Sequence, residues 1–232
     1  MNVFAGAAAA RYDAWFETPS GRYAQGLENE LLTRAVGDVR GARVLDVGCG
    51  TGLHLELFAA SGGRGVGLEP AWDMMARAQE RLRGRGVHLV QGRAEALPFR
   101  DGAFDAVAMI TSVEFAADAR AAFAEAARVC RRRVVVAVLN AWSISAVIRR
   151  VKRNLGATLF RAVRFYNPYE LRRALARHLK TPLAMATTLH LFPCYTPELR
   201  RPLAAADRWL TRHRGLAGAF LAAWGDVKSR KT

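Results

Sequence analysis

The sequence predicts an α/β fold of the Rossmann-like type, in which a mostly parallel sheet carries helices on both faces. Strand-like apolar segments alternate with helical segments from residue 43 to residue 140, which is the order typical of a parallel sheet. The segment 44–52 (VLDVGCGTG) runs as an apolar strand directly into a glycine-rich turn. In sheets of this kind, a turn at the end of the first strand marks the crevice where ligands bind.

The individual elements follow from the spacing of apolar residues. Leu27, Leu31, Leu32 and Val36 recur at helical intervals, so one or two helices are expected ahead of the first strand. The pattern then predicts strands near 43–48, 64–69, 87–91, 104–110 and 133–139, with helices near 53–61, 71–83 and 118–130.

After residue 140 the pattern becomes basic and less regular. Apolar residues at helical spacing over 142–155, with arginines beside them, predict an amphipathic helix. Asn167 and Pro168 are suited to open a second helix, because proline is favoured at a first helical position. The rest predicts a strand over 183–191, a helix over 197–212 and a final strand over 216–224.

The glycine turn predicts a site for a nucleoside-containing cofactor. Glycines at 48, 50 and 52 leave room for a ligand against the backbone, and the following helix offers unpaired N–H groups. Glu69, about 20 residues further on, is placed to accept hydrogen bonds from two ribose hydroxyls. Asp46 would repel a pyrophosphate but attract an ammonium or a sulfonium. This chemistry favours S-adenosylmethionine over NAD.

The segment 43–140 resembles the class I S-adenosylmethionine-dependent methyltransferases, especially the small-molecule subgroup related to quinone biosynthesis (methyltransferase type 11). The resemblance rests on four blocks in order: VLDVGCGTG (44–52), GLEPAWDMM (67–75), AEALPF (94–99) and GAFDAV (102–107). It implies a seven-stranded sheet with an antiparallel edge hairpin. It also implies an enzyme that converts S-adenosylmethionine to S-adenosylhomocysteine.

The length and composition suit a single methyltransferase domain over residues 1–232. The chain is 51% hydrophobic, which is enough to bury one sizeable core. We expect a helical cap over 1–40 and a cofactor-binding core over 41–140. The basic lid helix and the edge of the sheet would occupy 141–232.

The resemblance assigns most of the cofactor contacts to residues near the first two strands. Asp46 and the backbone around Gly48 and Gly50 would receive the methionine end of the cofactor. Glu69 would bind the ribose, and Met74 would pack on the adenine face. Each has a structural alternative: Asp46 as a turn residue, Glu69 as a surface carboxylate and Met74 as a core residue.

One block departs from the family pattern. Where the family often has an aspartate that binds the adenine amino group, this chain has Arg93, and a guanidinium has no acceptor. Adenine recognition is therefore expected to rest on the backbone of Ala94, on Glu95 or on Thr111. We expect weaker discrimination of adenine but retained binding.

The acceptor side is predicted from residues after the fourth and fifth strands. Glu114 is the candidate general base for an acceptor that must lose a proton, with a helix-capping role as the alternative. The pocket is expected to be walled by polar and aromatic side chains that would equally suit a core: Tyr12, Trp15, Tyr23, Asn140, Trp142 and Tyr166. A planar, aromatic, quinone-like or lipid acceptor would fit such walls. No metal-binding spacing is present.

The positive charge is concentrated in the second half of the chain. Residues 1–140 hold 17 basic and 16 acidic residues, whereas 141–232 hold 18 basic and 4 acidic residues. This asymmetry favours an anionic partner, such as a membrane surface contacted through 142–164 or a nucleic acid. It also suits an arginine-rich solvent face.

Other readings of function and location stay open beside a small-molecule enzyme. A nucleic-acid methyltransferase would use the basic half to grip phosphates. A non-catalytic S-adenosylmethionine-binding protein would bind the cofactor without turnover. The three scattered cysteines suit a reducing compartment, and no segment is apolar enough to span a bilayer. We therefore expect a cytoplasmic protein, with contact to the inner membrane face as an option, of unassigned oligomeric state.

Overall fold

The computed structural model describes residues 7–154, 163–180, 182–191, 200–213 and 215–228. Its strands are β1 Arg43–Val47, β2 Arg64–Glu69, β3 His88–Gln91, β4 Phe104–Ile110, β5 Cys130–Leu139, β6 Ala184–Thr188 and β7 Phe220–Asp226. Its helices are α1 Ala7–Glu17, α2 Pro19–Val36, α3 Leu53–Ala60, α4 Trp72–Arg81, α5 Ala119–Val129, α6 Ile144–Asn154, α7 Pro168–Leu175 and α8 Arg200–Arg212, with a 3₁₀ turn over Val113–Phe115.

The sheet confirms the predicted fold class. Its seven strands lie in the order β3-β2-β1-β4-β5-β7-β6. The first five are parallel, while β7 pairs antiparallel with both β5 and β6. The last two strands are therefore the antiparallel edge hairpin that the resemblance implied. The carboxyl ends of β1, β2, β4 and β5 meet along one edge.

The two helices ahead of β1 form because local capping and apolar spacing agree. The Thr18 hydroxyl accepts a hydrogen bond from the Gly21 N–H at 3.0 Å, and Pro19 occupies the first turn of α2. The apolar stripe that predicted α2 is buried against the sheet, with Leu32 fully enclosed. The cap is thus a structural layer that covers one face of the sheet.

The bounds of β5 and β7 differ from the predicted ones because pairing sets them, and β6, predicted over 183–191, spans only Ala184–Thr188. β5 begins at Cys130 rather than residue 133, since Cys130 pairs with Phe104 across an irregularity in the β4 register. β7 runs over Phe220–Asp226 rather than 216–224, because Phe220 pairs with Leu139 at the end of β5. In both cases the pairing partner is distant in the chain, so the local sequence does not indicate it.

Helix α6 is amphipathic as predicted, but the orientation of one arginine was not foreseen. Arg149 is half-buried and is influenced by the charges of Glu28 and Glu114, so it faces the interior. The solvent side carries Ile144, Val147 and Arg150. Within the described ranges no helix has the length and apolar character needed to cross a membrane.

Candidate functional site

The glycine turn after β1 has the backbone conformation that its sequence requires. Gly48, Gly50 and Gly52 all have positive φ values, of 74°, 55° and 83°. A Cβ at Gly48 would lie 2.5 Å from the Ser112 Cβ, whereas one at Gly50 would meet nothing within 4 Å. The turn is therefore held against β4 on one side and open on the other, as ligand approach to the backbone requires.

Asp46 is buried at the end of β1 without any hydrogen bond to satisfy it. Its side chain is 1% exposed, and neither carboxylate oxygen has a hydrogen-bond partner among the described residues. Burial, with a smaller contribution from the charge of Glu69, raises the pKa of Asp46 to about 7. The Thr51 hydroxyl in the same turn is likewise buried without a partner. Such orphaned groups fit the methionine end of S-adenosylmethionine, whose ammonium would pair with the carboxylate.

Glu69 joins the ends of the first two strands. Its carboxylate accepts hydrogen bonds from the Gly50 N–H and the Ala71 N–H, both at 2.9 Å. Burial raises the pKa of Glu69, and these two hydrogen bonds lower it in part. Each carboxylate oxygen keeps a lone pair, so the residue that shapes the turn also retains acceptor capacity for ribose hydroxyls.

Helix α1 lies over this crevice. Tyr12 packs with Ala9, Ala71 and Met74 in a small apolar cluster. Burial, with smaller contributions from nearby carboxylates, raises the pKa of Tyr12, and a side-chain hydrogen bond to Thr111 lowers it in part. Met74 and Thr111, both assigned to the adenine end, are thus brought close to the predicted acceptor-pocket residue Tyr12.

Two arginines of α4 hold α1 in this position. Asp13 pairs with Arg77 at 3.3 Å and with Arg81 at 3.1 Å. Arg81 also donates to the Thr51 carbonyl at 2.9 Å. The glycine turn, α4 and the helical cap are therefore joined through one guanidinium.

The loop after β3 holds three residues of the predicted adenine end, and each has a different environment. Arg93 is exposed and lies 3.6 Å from the Glu95 carboxylate. Glu95 accepts hydrogen bonds from the Ala117 N–H at 2.7 Å and the Asp118 N–H at 3.4 Å, so its side chain fixes the turn before α5. Ala94 packs against the core, and its backbone stays the candidate adenine contact.

Thr111 marks a strained point at the end of β4. It has a φ of 44°, one of two non-glycine residues in the left-handed region among the described residues. Its N–H donates to the Ala137 carbonyl at 2.8 Å. Such strain in a β-branched residue is typical of sites where backbone position matters for binding.

Glu114, the candidate base, is buried in the 3₁₀ turn that follows β4. Its Oε1 accepts a hydrogen bond from the Leu139 N–H at 2.9 Å, while Oε2 is buried without a hydrogen-bond partner among the described residues. Burial raises the pKa of Glu114 to about 7, against the lowering effect of the Leu139 N–H and of Arg149. One oxygen of the carboxylate is therefore bonded to the end of β5, and the other has no partner among the described residues.

The remaining predicted pocket residues separate into different environments. Trp15 lines a small cavity beside Glu28, whereas Tyr23, a residue of α2, packs against the core near Arg208. Asn140 is fully buried, donates to the Leu216 and Gly218 carbonyls and accepts from the Trp142 N–H, so its amide is a structural clamp.

Tyr166 and Trp142 both contact Asn140 but differ in exposure. Tyr166 is 2% exposed in the core, with Arg164 stacked 4.8 Å from its ring centroid. Trp142 is 56% exposed and walls no described pocket.

Sequence reasoning missed Glu28 and Arg149. Both line the same cavity as Trp15, between α1, α2, α6 and the end of β5. The signal for Glu28 was its position four residues after Ala24, on the buried side of α2, where a carboxylate is unusual. The larger cavity, of about 320 Å³, lies at the opposite edge of the sheet around Asp38 and Arg40, away from the glycine turn.

Known proteins of similar sequence and structure agree with this geometry. Residues 45–138 match a family described as a methyltransferase domain. An uncharacterized protein of Mycobacterium tuberculosis is 32% identical over 191 residues, which are 82% of this chain and 64% of that protein. An uncharacterized protein of Mycobacterium bovis is also 32% identical over 191 residues. The chain thus spans about 64% of the length of these curated relatives.

Solved structures show the same fold at lower identity. A methyltransferase of Thermotoga maritima, titled a possible histamine N-methyltransferase, has a TM-score of 0.73 and 22% identity, covering 97% of this chain and 98% of that one. Magnesium protoporphyrin IX methyltransferase of Synechocystis, solved with S-adenosylhomocysteine, has a TM-score of 0.69 and 14% identity, covering 98% and 97%.

Proposed function

We propose that this chain is a class I S-adenosylmethionine-dependent methyltransferase that moves a methyl group to a small-molecule acceptor. The observation that carries the proposal is Asp46, a carboxylate 1% exposed with both oxygens unpaired among the described residues. It stands beside a glycine turn that is open at Gly50, and Glu69 accepts a hydrogen bond from the N–H of that glycine. A buried charge of this kind needs a cationic ligand to offset its desolvation.

The residues of the site act mainly by binding and positioning. S-adenosylmethionine, when bound, supplies a methyl group on a sulfonium that is already a good leaving group. Asp46 would hold its ammonium and Glu69 its ribose, while α1 would exclude water from above. Alignment of an acceptor in such an enclosed site supplies much of the rate of a displacement reaction.

Glu114 is proposed to accept the proton of an acceptor that must lose one. Its free Oε2 and a pKa of about 7 are suited to general base catalysis near neutral pH. We propose an aromatic, quinone-like or lipid acceptor, approaching from the side of β5.

Calorimetric titration tests the cofactor assignment. The purified protein is titrated with S-adenosylmethionine, S-adenosylhomocysteine and, as a control, NAD, which shares the adenosine but carries a pyrophosphate. Micromolar binding of the first two with no binding of NAD is expected, because Asp46 attracts an ammonium and repels a pyrophosphate. A folded protein that binds neither of the first two would contradict the proposal.

We further propose that the cytoplasmic face of an anionic membrane is contacted through the start of α6. Trp142, Ile144 and Val147 are 56%, 66% and 57% exposed, and the exposed Arg150 lies beside them. Apolar side chains next to a cation are the combination that binds an anionic bilayer surface. The predicted region 142–164 includes 155–162, which lie outside the described residues, as do the side chains of Lys152 and Arg153.

Sedimentation with vesicles tests this contact. Binding to phosphatidylglycerol vesicles and not to phosphatidylcholine vesicles is expected. The variant Trp142→Ser with Arg150→Gln should lose it, whereas Tyr169→Ser, an equally exposed aromatic on α7, should keep it. Arg149 is left unchanged, because it faces the interior. Equal binding by all three proteins would rule out this surface.

A further inference from the structure

A small cavity lies between α1, α2, α6 and the end of β5. Its volume is about 20 Å³, and its lining includes Trp15, Glu28, Leu139 and Arg149. This volume holds little more than one group the size of a water molecule. The cavity therefore suits the reacting group of an acceptor, with the remainder of the molecule lying toward α1 and α6.

Two carboxylates from different elements reach this region. Glu28 comes from α2 and lines the cavity directly. Glu114 comes from the turn after β4 and is tied by its Oε1 to the N–H of Leu139, a lining residue. Its Oε2 is buried without a hydrogen-bond partner among the described residues, which leaves an acceptor that a ligand can fill.

Arg149 is the cation that faces both carboxylates. Its charge lowers the pKa of Glu28 and of Glu114, while burial raises these values to about 8 and about 7. The pKa of Arg149 is lowered by burial and raised by the two glutamates.

Two tyrosines face this set from other elements, and the exposed Arg164 lies beside one of them. Tyr12 of α1 is influenced by both Glu28 and Asp46. Tyr166 is influenced by Arg164, Glu114 and Glu170. Among the described residues, Arg149 thus faces the two carboxylates of Glu28 and Glu114, and Asp46 is a third carboxylate near Tyr12.

We propose that Glu28 and Glu114 together bind a cationic acceptor group, so that the acceptor of this methyltransferase is an amine. The inference deepens the proposed function and depends on it. An ammonium supplies the charge that one arginine cannot, and it donates hydrogen bonds to the free Glu114 Oε2. A carboxylate acceptor would be repelled by an ionised glutamate, and a neutral alcohol would lack the charge-assisted hydrogen bond that an ammonium forms with one.

The chemistry balances with the groups present. The bound ammonium gives one proton to a glutamate carboxylate and becomes a neutral amine. Its nitrogen lone pair then forms the bond to the methyl carbon, and the electron pair of the carbon–sulfur bond stays on sulfur. The methylated amine leaves as a cation, and the glutamate returns its proton to solvent.

Binding to the protein loaded with S-adenosylhomocysteine tests the charge preference. The probes are phenethylamine, 2-phenylethanol and phenylacetate, which are similar in shape and differ in charge. We expect the affinity for the amine to be at least about 10-fold higher than for the other two, because only the amine forms a charge-assisted hydrogen bond with a glutamate. The double variant Glu28→Gln with Glu114→Gln should lose this preference.

Two controls separate a binding role from a structural one. Glu30→Gln, which removes an exposed α2 carboxylate paired with Arg208, should keep the preference. Arg149→Met should move the pH dependence of amine binding upward, because the cation that favours the ionised glutamates is gone. A merely structural role would leave that profile in place.

The outcomes distinguish the inference from the function on which it rests. Binding of S-adenosylhomocysteine without amine binding, or with equal binding of the alcohol or the carboxylate, overturns only the inference. Failure of a folded protein to bind S-adenosylhomocysteine overturns the proposed function as well. Detection of N-methylphenethylamine by mass spectrometry, lost in the double variant, would support both.

Discussion

Two buried aspartates, one in β1 and the other on α8 beside β6, have opposite surroundings. Asp46 and Asp207 are 1% and 0% exposed. Asp46, beside the glycine turn, has no hydrogen-bond partner among the described residues, and burial raises its pKa to about 7. Asp207, on α8, accepts hydrogen bonds from the Thr188 hydroxyl at 3.1 Å and the Leu189 N–H at 3.0 Å, and lies 3.2 Å from His190 Nδ1.

The pKa of Asp207 shows how completely its environment satisfies it. Burial alone would raise that pKa, but His190 and the hydrogen bonds lower it below its ordinary value. Burial by itself therefore does not distinguish a structural carboxylate from a binding one. The difference lies in whether the protein supplies the hydrogen bonds, or leaves them for a ligand.

The largest expected effect is on stability, from Asp207→Asn. The amide would lose the charge facing His190 and would turn an NH₂ group toward one of its present donors. We expect the free energy of unfolding to fall by about 2–4 kcal/mol. Urea denaturation measures it, and a loss below about 0.5 kcal/mol would contradict the structural role.

The same substitution at Asp46 should act on binding rather than on stability. Asp46→Asn removes a poorly solvated charge, so the ligand-free protein should be as stable as the wild type or more so. Affinity for S-adenosylmethionine should fall about 10- to 100-fold, because the ammonium loses its charged partner. Denaturation and calorimetry on Asp46→Asn and Asp207→Asn compare the effects on stability and on affinity. Near-normal affinity in Asp46→Asn would show that the cofactor does not bind at Asp46.

The lowered pKa of Asp207 and the raised pKa of Asp46 should affect the pH dependence of stability in opposite ways. Because its pKa is lowered, Asp207 stabilises the fold above about pH 4 and ceases to do so at lower pH. The raised pKa values of about 7 for Asp46 and Glu114 act in the opposite direction. Their contributions are unfavourable as pH rises from about 4 to about 7.

Denaturation at a series of pH values measures this slope. The ligand-free wild type should lose stability between about pH 5 and 7.5, since the folded state binds more protons than the unfolded state there. Asp46→Asn should lose less over the same interval. A wild-type slope unchanged by the substitution would show that Asp46 is already paired.

The smallest expected effect concerns the adenine end. Arg93 is exposed, and its contact with Glu95 is a surface pair of little energetic weight. Arg93→Asp would restore the family acceptor and should raise affinity for S-adenosylhomocysteine about 2- to 10-fold. Arg93→Ala should bind S-adenosylhomocysteine no more tightly than the wild type. Arg93→Asp should likewise gain no affinity for S-inosylhomocysteine, which lacks the adenine amino group. A gain in either control would assign the effect to the loss of the arginine charge.

Local sequence patterns predicted the elements of the sheet and the position of the cofactor crevice. Apolar periodicity and the glycine turn are read over neighbouring residues, and parallel strands bring their carboxyl ends to one edge. Asp46, Glu69 and Glu114 were therefore identified as candidates before any contact was known. The bounds of β5 and β7 were less accurate, because Cys130 and Phe220 are held by partners distant in the chain.

Only the tertiary structure decided which candidate groups stay available and which are occupied. Glu95 caps the turn before α5 and Asn140 clamps the segment before β7, whereas one oxygen of Glu114 stays without a partner among the described residues. Arg149, read from sequence as part of a basic surface, faces Glu28 and Glu114. The periodicity of apolar residues depends on near neighbours in the chain, so it can be recognised from the sequence. Hydrogen-bond satisfaction and interior charge depend on groups that the chain brings together only when it folds.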